Sequence, residues 1–137
     1  MRMKRVATGM VLVLLTAASA RSDQAPPAPP PSSPEDTAVR KVIADYGRAI
    51  ETKDLGLFKT VKPNLSPDEE RRTRNAFETV KSQVVKITVL SVDLRGTDAV
   101  VRVSRRDTIN GSLVSSFPQT FRLARGKAGW GIQEIGK

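Results

Sequence analysis

The spacing of apolar residues changes once along this chain, close to Gln83, and few folds accommodate both halves. Before this point, apolar residues recur every three to four positions, as on one face of a helix: Val39, Val42, Ile43, Tyr46 and Ile50. After it they alternate with polar residues, as in β-strands. Helices followed by strands predict an α+β domain, with three N-terminal helices packed on a curved, four-stranded antiparallel sheet.

Three helices are predicted from residues that typically begin and end them. A side chain suited to cap a helix precedes each one: Ser33, Asp54 and Ser66. The expected ranges are 34–53, 55–61 and 67 to about 81. Ser66 and Glu69 have the spacing of a capping box. The third helix is expected to turn Ala76, Phe77 and Val80 inward.

The strands are separated by turn residues, and the first contains an irregularity. Val85, Ile87 and Val89 alternate on one parity, whereas Leu90, Val92 and Leu94 follow the opposite one. One such switch is typical of a β-bulge, which bends the strand. Turns are expected at 95–98, at Asn110-Gly111 and at 126–129.

The N-terminal third of the chain differs in composition from the rest. Basic residues among the first five precede an apolar run over 6–15 and the small residues Ala18-Ser19-Ala20. These are the three parts of a secretory signal. We therefore expect a signal peptide over 1–20 cleaved near Ala20, a proline-rich disordered tether over 21–34 and one domain over 35–137. The alternative is an uncleaved N-terminal anchor. Either way the protein is expected to be exported, to the periplasm or out of the cell.

Composition excludes several kinds of site. The chain has no cysteine and no histidine, which removes disulfides, thiolate metal sites and the usual general base. We expect no metal and no cofactor. Cleavage after Ala20 would leave 20 of the 23 basic residues against 14 acidic ones, a formal charge of +6. This charge favours anionic partners. Nucleic acid is not expected, because aromatic residues for base stacking are few.

Two segments carry a resemblance to a known family. They are the run from Tyr46 to Leu55, and the closing strands with Phe121-Arg122-Leu123 and Trp130-Gly131-Ile132. Together they resemble the nuclear-transport-factor-2-like (SnoaL-like) superfamily. The resemblance implies a strongly curved sheet wrapped around the helices as a cone, often with a pocket inside. It also implies that the sheet face can form a homodimer. The family contains enzymes such as ketosteroid isomerase and many non-catalytic binding domains.

The resemblance places Tyr46 where the isomerase has its oxyanion-donating tyrosine, and a second donor near Gln119. A proton transfer beside a carbonyl also needs a carboxylate base. At the matching position this chain has only 62–66, Lys-Pro-Asn-Leu-Ser. The alternative for Tyr46 is a core tyrosine with a hydrogen-bonded hydroxyl.

Arg105 and Asp107 continue the inward parity of the second strand and could face the same pocket as Gln119. Family members that hydrolyse epoxides use an Asp-Arg-Asp set. Arg105 and Asp107 are candidates for two of these three roles. The alternative is an ordinary salt bridge near a hairpin. The candidate pocket is completed by three aromatic residues that would line or fill it: Phe117, Phe121 and Trp130.

The opposite parity of the strands carries a cationic set: Lys86, Arg102, Arg106 and Arg122. It could bind an anionic partner in the cell envelope, or simply be a solvated outer face. Val100 and Val114 interrupt this polar parity, and a homodimer would cover them.

These observations favour an exported, non-catalytic binding or assembly module, whose partner would be a small apolar ligand or an anionic component of the envelope. The alternative is a small-molecule isomerase, dehydratase or hydrolase that uses the interior pocket.

Overall fold

A computed structural model describes residues 33–137, and it contains three helices followed by one four-stranded sheet. The helices are α1 (Pro34–Thr52), α2 (Leu55–Val61) and α3 (Pro67–Thr79). The strands are β1 (Gln83–Arg95), β2 (Asp98–Ile109), β3 (Leu113–Gly126) and β4 (Gly129–Gly136). All neighbours are antiparallel, in the order β1-β2-β3-β4. The predicted α+β class is confirmed. The predicted signal peptide and all but the last residues of the tether lie outside the described residues.

The three predicted helix starts are confirmed. Ser33 Oγ accepts a hydrogen bond from the N–H of Asp36 at 3.1 Å, and Asp54 Oδ1 accepts one from Leu57 at 3.0 Å. Ser66 and Glu69 exchange the two hydrogen bonds of a capping box, at 3.1 and 3.2 Å. These side chains satisfy N–H groups that have no partner inside the helix. No helix within 33–137 is long and apolar enough to cross a membrane.

The first helix supplies most of the helical half of the core. Its buried apolar residues lie against the concave side of the sheet: Val39, Ile43, Tyr46, Ala49 and Ile50. The sheet contributes alternate residues of its strands: Val101, Val103, Phe121, Leu123 and Ile132. Gly47 lets α1 approach β1 closely, because a Cβ there would lie 3.3 Å from Ile87 Cδ1.

The third helix departs from the prediction. It ends at Thr79, two residues early, because Val80 is extended (φ −86°, ψ 124°). None of its residues is buried: Ala76, predicted to turn inward, lines the cavity but remains exposed. Phe77 and Val80 are half-buried, and the ring of Phe77 meets that of Phe58 edge-on with centroids 6.1 Å apart. The sequence of α3 is rich in charged residues, and the helix covers a cavity instead of packing on the sheet.

The predicted bulge in β1 is confirmed. The register of β1 with β2 shifts between Val89 and Ser91, so Leu90 has no partner and its side chain is 50% exposed. Val92 and Leu94 thereby face the core again as partly buried residues. A second shift lies between Arg122 and Leu123, opposite β4, and the sequence did not predict it.

Candidate functional site

Arg105 is the centre of a buried polar cluster on the concave side of the sheet. Because side chains of a strand alternate between faces, Arg105 and Asp107 lie next to each other on β2. Only 7% of Arg105 and 4% of Asp107 are exposed. Nε of Arg105 donates to Asp107 Oδ1 at 2.7 Å, and Nη2 donates to Oδ2 at 2.8 Å. The pair is therefore bidentate, the most directional form of a guanidinium–carboxylate contact.

The same guanidinium reaches two further predicted residues. Nη1 of Arg105 donates to Tyr46 Oη at 3.0 Å and to Gln119 Oε1 at 3.3 Å. Tyr46 comes from α1 and Gln119 from β3, so the helical layer and two strands meet at this group. The structure thus brings together the four polar side chains that the sequence placed in the pocket.

Aromatic rings flank the guanidinium. Cζ of Arg105 lies 5.3 Å from the ring centroid of Phe117 and 5.6 Å from that of Tyr46. Such rings attract a cation that has lost its water. Burial acts to lower the pKa of Arg105, but the hydrogen bonds and charge of Asp107, together with Tyr46, raise that pKa above its ordinary value. Arg105 therefore stays charged inside the fold.

Gln83 belongs to the cluster, although the sequence analysis missed it. Its Nε2 donates to Asp107 Oδ2 at 2.8 Å, so the carboxylate accepts three hydrogen bonds. Strand parity could have predicted Gln83, because it shares the inward parity of Val85 at the start of β1.

A cavity of about 690 Å³ lies beside this cluster, between α2, α3 and the sheet. Its apolar walls include Phe58, Phe77 and Ile135. Of the four clustered residues only Arg105 lines it, with Gln83 beside it, whereas Tyr46, Asp107 and Gln119 lie behind. A ligand in the cavity would therefore meet the guanidinium first.

The rim of the cavity carries a second polar group that the sequence did not predict. Lys62 Nζ contacts Glu69 Oε2 at 3.3 Å and Asn64 Oδ1 at 3.2 Å. Hydrogen bonds from the backbone and side chain of Ser66, and then from Lys62, lower the pKa of Glu69 below its ordinary 4.5. Glu69 is therefore a carboxylate at neutral pH. No sequence spacing could reveal this group, because the turn between α2 and α3 creates it.

None of the three predicted pocket aromatics lines the cavity, and two of them are in the core. Phe121 is fully buried, and its ring meets Tyr46 edge-on at 5.1 Å. Trp130 is 8% exposed, and its Nε1–H has no hydrogen-bond partner within residues 33–137. Phe117 is half-buried beside Arg105. The interior is thus filled around Tyr46 and open only towards α2 and α3.

Comparison with solved structures identifies the fold. The Kfla4162 protein of Kribbella flavida superposes with a TM-score of 0.68 at 12% identity, over 74% of this chain and 88% of that one. An NTF2-like superfamily protein of Salmonella enterica serovar Typhimurium gives 0.64 at 17% identity, over 73% and 87%. This chain has the nuclear-transport-factor-2-like fold. A candidate dehydratase of the NTF2-like family from Streptomyces avermitilis gives 0.63 at 12% identity, over 74% and 94%.

The fold that the resemblance implied is therefore confirmed. No model of a protein family matches the sequence. The search of curated proteins gives no match either.

The outer face of the NTF2-like sheet carries the predicted cationic set, all of it exposed: Lys86, Arg102, Arg106 and Arg122. Arg122 pairs with Glu134 at 3.3 Å. The other three form no ion pair with a residue in 33–137. Val100 is half-buried and Val114 is 50% exposed. Within the described part of the chain, no group of acidic side chains is placed to hold a metal ion.

Proposed function

We propose that this chain is an exported, non-catalytic binding module whose NTF2-like domain holds a small molecule in the cavity beneath α2 and α3. The observation that carries this proposal is the state of Asp107. Its carboxylate is buried, and its oxygens already accept three hydrogen bonds.

The cluster is arranged for holding a charge in place, and less well for moving a proton. Protonation of Asp107 would weaken its bidentate contact with Arg105 and leave that buried charge without a counter-ion. Tyr46 Oη and Gln119 Oε1 both accept hydrogen bonds from Arg105, so these two oxygens face the guanidinium. An oxyanion site needs donors aimed at the ligand. In this chain the donors of the cluster belong chiefly to Arg105.

The cavity fits a molecule with an apolar body and one polar or anionic end. Phe58, Phe77 and Ile135 offer apolar contact. The charged residues of the walls are three basic and two acidic ones: Lys62, Arg72, Arg105, Glu69 and Glu134. Pockets of this size commonly combine an apolar lining with a few fixed polar groups. Export rests on the signal-like residues 1–20 alone.

Native mass spectrometry of the protein isolated from its own host tests the proposal. We expect a bound small molecule, which is recovered chemically unchanged after it is incubated again with fresh protein. Thr73→Trp should abolish binding, because Thr73 lines the cavity. Asn75→Trp is the matched control on the same helix, because Asn75 is exposed and does not line it. Conversion of the recovered molecule to a product, or equal loss in both variants, would overturn the proposal.

One observation favours an enzyme as the second candidate. Tyr46, Asp107 and Gln119 all hydrogen-bond to Arg105 within 3.3 Å, and Arg105 lines the cavity. The Streptomyces avermitilis protein named as a candidate dehydratase shares the fold. An isomerase, dehydratase or hydrolase of this kind would lose turnover in Asp107→Asn while still binding its ligand. Turnover that survives this change would exclude Asp107 as the base.

A further inference from the structure

We propose that one end of the sheet docks on an anionic phospholipid surface. This docking end consists of Val84, Lys86, Arg106, Leu113 and Val114, around the hairpin between β2 and β3. It lies on a different part of the domain from the cavity, so the proposal does not depend on the ligand discussed above.

Apolar side chains are concentrated at the docking end. Four large apolar residues are exposed within 33–137, and three of them are here: Val84 at 47%, Val114 at 50% and Leu113 at 65%. Thr108 pairs with Val84 on one side and with Val114 on the other, so both valines lie in one row across the outer face. Leu113 is the first residue after the hairpin turn and pairs with Ile109, so it lies at the same end of the sheet but on the opposite face from the valines. Exposed apolar residues that cluster in this way indicate an interaction site.

A row of cations lies directly behind the apolar row. Lys86 pairs with Arg106, so two positive charges stand opposite each other on neighbouring strands. Like charges in this arrangement repel. Neither side chain has an ion-pair partner among the described residues, and Arg102 follows on the same face of β2. An anionic surface would relieve this repulsion.

The spacing of the two rows matches a lipid interface. Two residues along a strand span about 7 Å. Apolar side chains of interfacial proteins reach roughly 5–10 Å into the boundary between headgroups and acyl chains. With the valines and Leu113 at that depth, Lys86 and Arg106 would lie at the level of the phosphates.

A second copy of the chain fits the docking end less well. A two-fold contact through this row would bring Lys86 and Arg106 close to the same two residues of the other copy, which adds like charge to like charge. An acidic protein would match the cations but leaves the apolar row unexplained. An anionic bilayer matches both rows.

Vesicle sedimentation tests the proposal with residues 21–137, the chain expected after cleavage near Ala20, because the apolar run over 6–15 would itself bind lipid. We expect binding to vesicles of phosphatidylcholine mixed with phosphatidylglycerol, weaker binding in high salt and little to phosphatidylcholine alone. Lys86→Gln with Arg106→Gln should weaken binding about thirtyfold, from the two lost charges. The matched control is Arg95→Gln with Lys127→Gln, which removes the same charge at the opposite end of the sheet and should change binding little.

A second variant tests the exposed apolar residues of the docking end separately. Leu113→Ser with Val114→Ser should weaken binding while the dependence on salt is kept. Thermal melting followed by circular dichroism verifies that each variant is folded, as expected for exposed positions. The proposal is overturned by absence of binding at low salt, or by equal loss in the control pair. A dimer in sedimentation velocity that binds no vesicles would instead assign this surface to a second copy.

Discussion

The hydroxyl oxygen of Tyr46 on α1 accepts a 3.0 Å hydrogen bond from Nη1 of Arg105 on β2. The two residues are 59 positions apart, and both are buried. This contact joins the helical layer to the sheet through a charged group. The charge is tolerated there because Asp107 balances it and because Phe117 and Tyr46 flank it.

Asp107→Asn should lower the free energy of unfolding by about 3 kcal/mol, because it leaves the Arg105 charge buried without its counter-ion. Urea denaturation measures this loss. Asp93→Asn is the control, since Asp93 pairs with Arg95 in an exposed position. It should cost less than about 1 kcal/mol. Equal losses in the two variants would contradict the structural importance of the buried pair.

Gly131→Ala should destabilise the domain by about 1–3 kcal/mol. A Cβ at this position would lie 2.9 Å from Cδ and 3.0 Å from Cγ of Pro63, whose ring cannot rotate away. The melting temperature should fall accordingly. In Gly126→Ala the new methyl group meets nothing within 4 Å, so that variant should melt close to the unchanged protein.

Glu69 should make stability depend on pH in the acid range. Its pKa is lower in the folded protein than its ordinary 4.5, so the stabilisation is present above pH 4.5 and is lost as the pH falls through the folded value. In Glu69→Gln the urea midpoint should vary less between pH 6 and about pH 3. Glu78→Gln, on the same helix, should keep the original slope. An unchanged slope in Glu69→Gln would refute the assignment.

Insertion of one alanine between Ser91 and Val92 should be far more damaging than replacement of Leu90. The added residue would move Val92 and Leu94 by one position and turn them outward, because side chains alternate along a strand. We expect a loss of about 3 kcal/mol or more, comparable to exposing two core residues. Leu90→Thr should change stability by less than about 0.5 kcal/mol, because the side chain is half-exposed. Thermal melting distinguishes the two outcomes.

The features predicted correctly from the sequence depend on neighbouring residues. Helix caps at Ser33, Asp54 and Ser66 use side chains within three residues of their partners, and the bulge at Leu90 changes the local alternation. The prediction for α3 failed because its few apolar residues do not determine which surface the helix contacts. Charged residues dominate that helix, and Ala76 and Phe77 face the cavity instead of a packed core.

The polar cluster was predictable in part. Strand parity placed Arg105, Asp107 and Gln119 on one face, and the family resemblance added Tyr46. Strand parity could not show that Asp107 would accept three hydrogen bonds, because one of the donors, Gln83, comes from another strand. Lys62 and Glu69 meet only through the path of the chain between α2 and α3. Such contacts depend on the tertiary structure and leave no periodic signal.

The third helix is held by its own capping box and by ion pairs within or next to it, such as Arg74 with Glu70 at 2.8 Å, and not by burial. It nevertheless forms one wall of the cavity, with Thr73 and Phe77. Substitutions along this wall can therefore change what the cavity accepts at little thermodynamic cost. Natural selection or protein design can thus vary the sequence of α3 while the sequences of α1 and the sheet are kept.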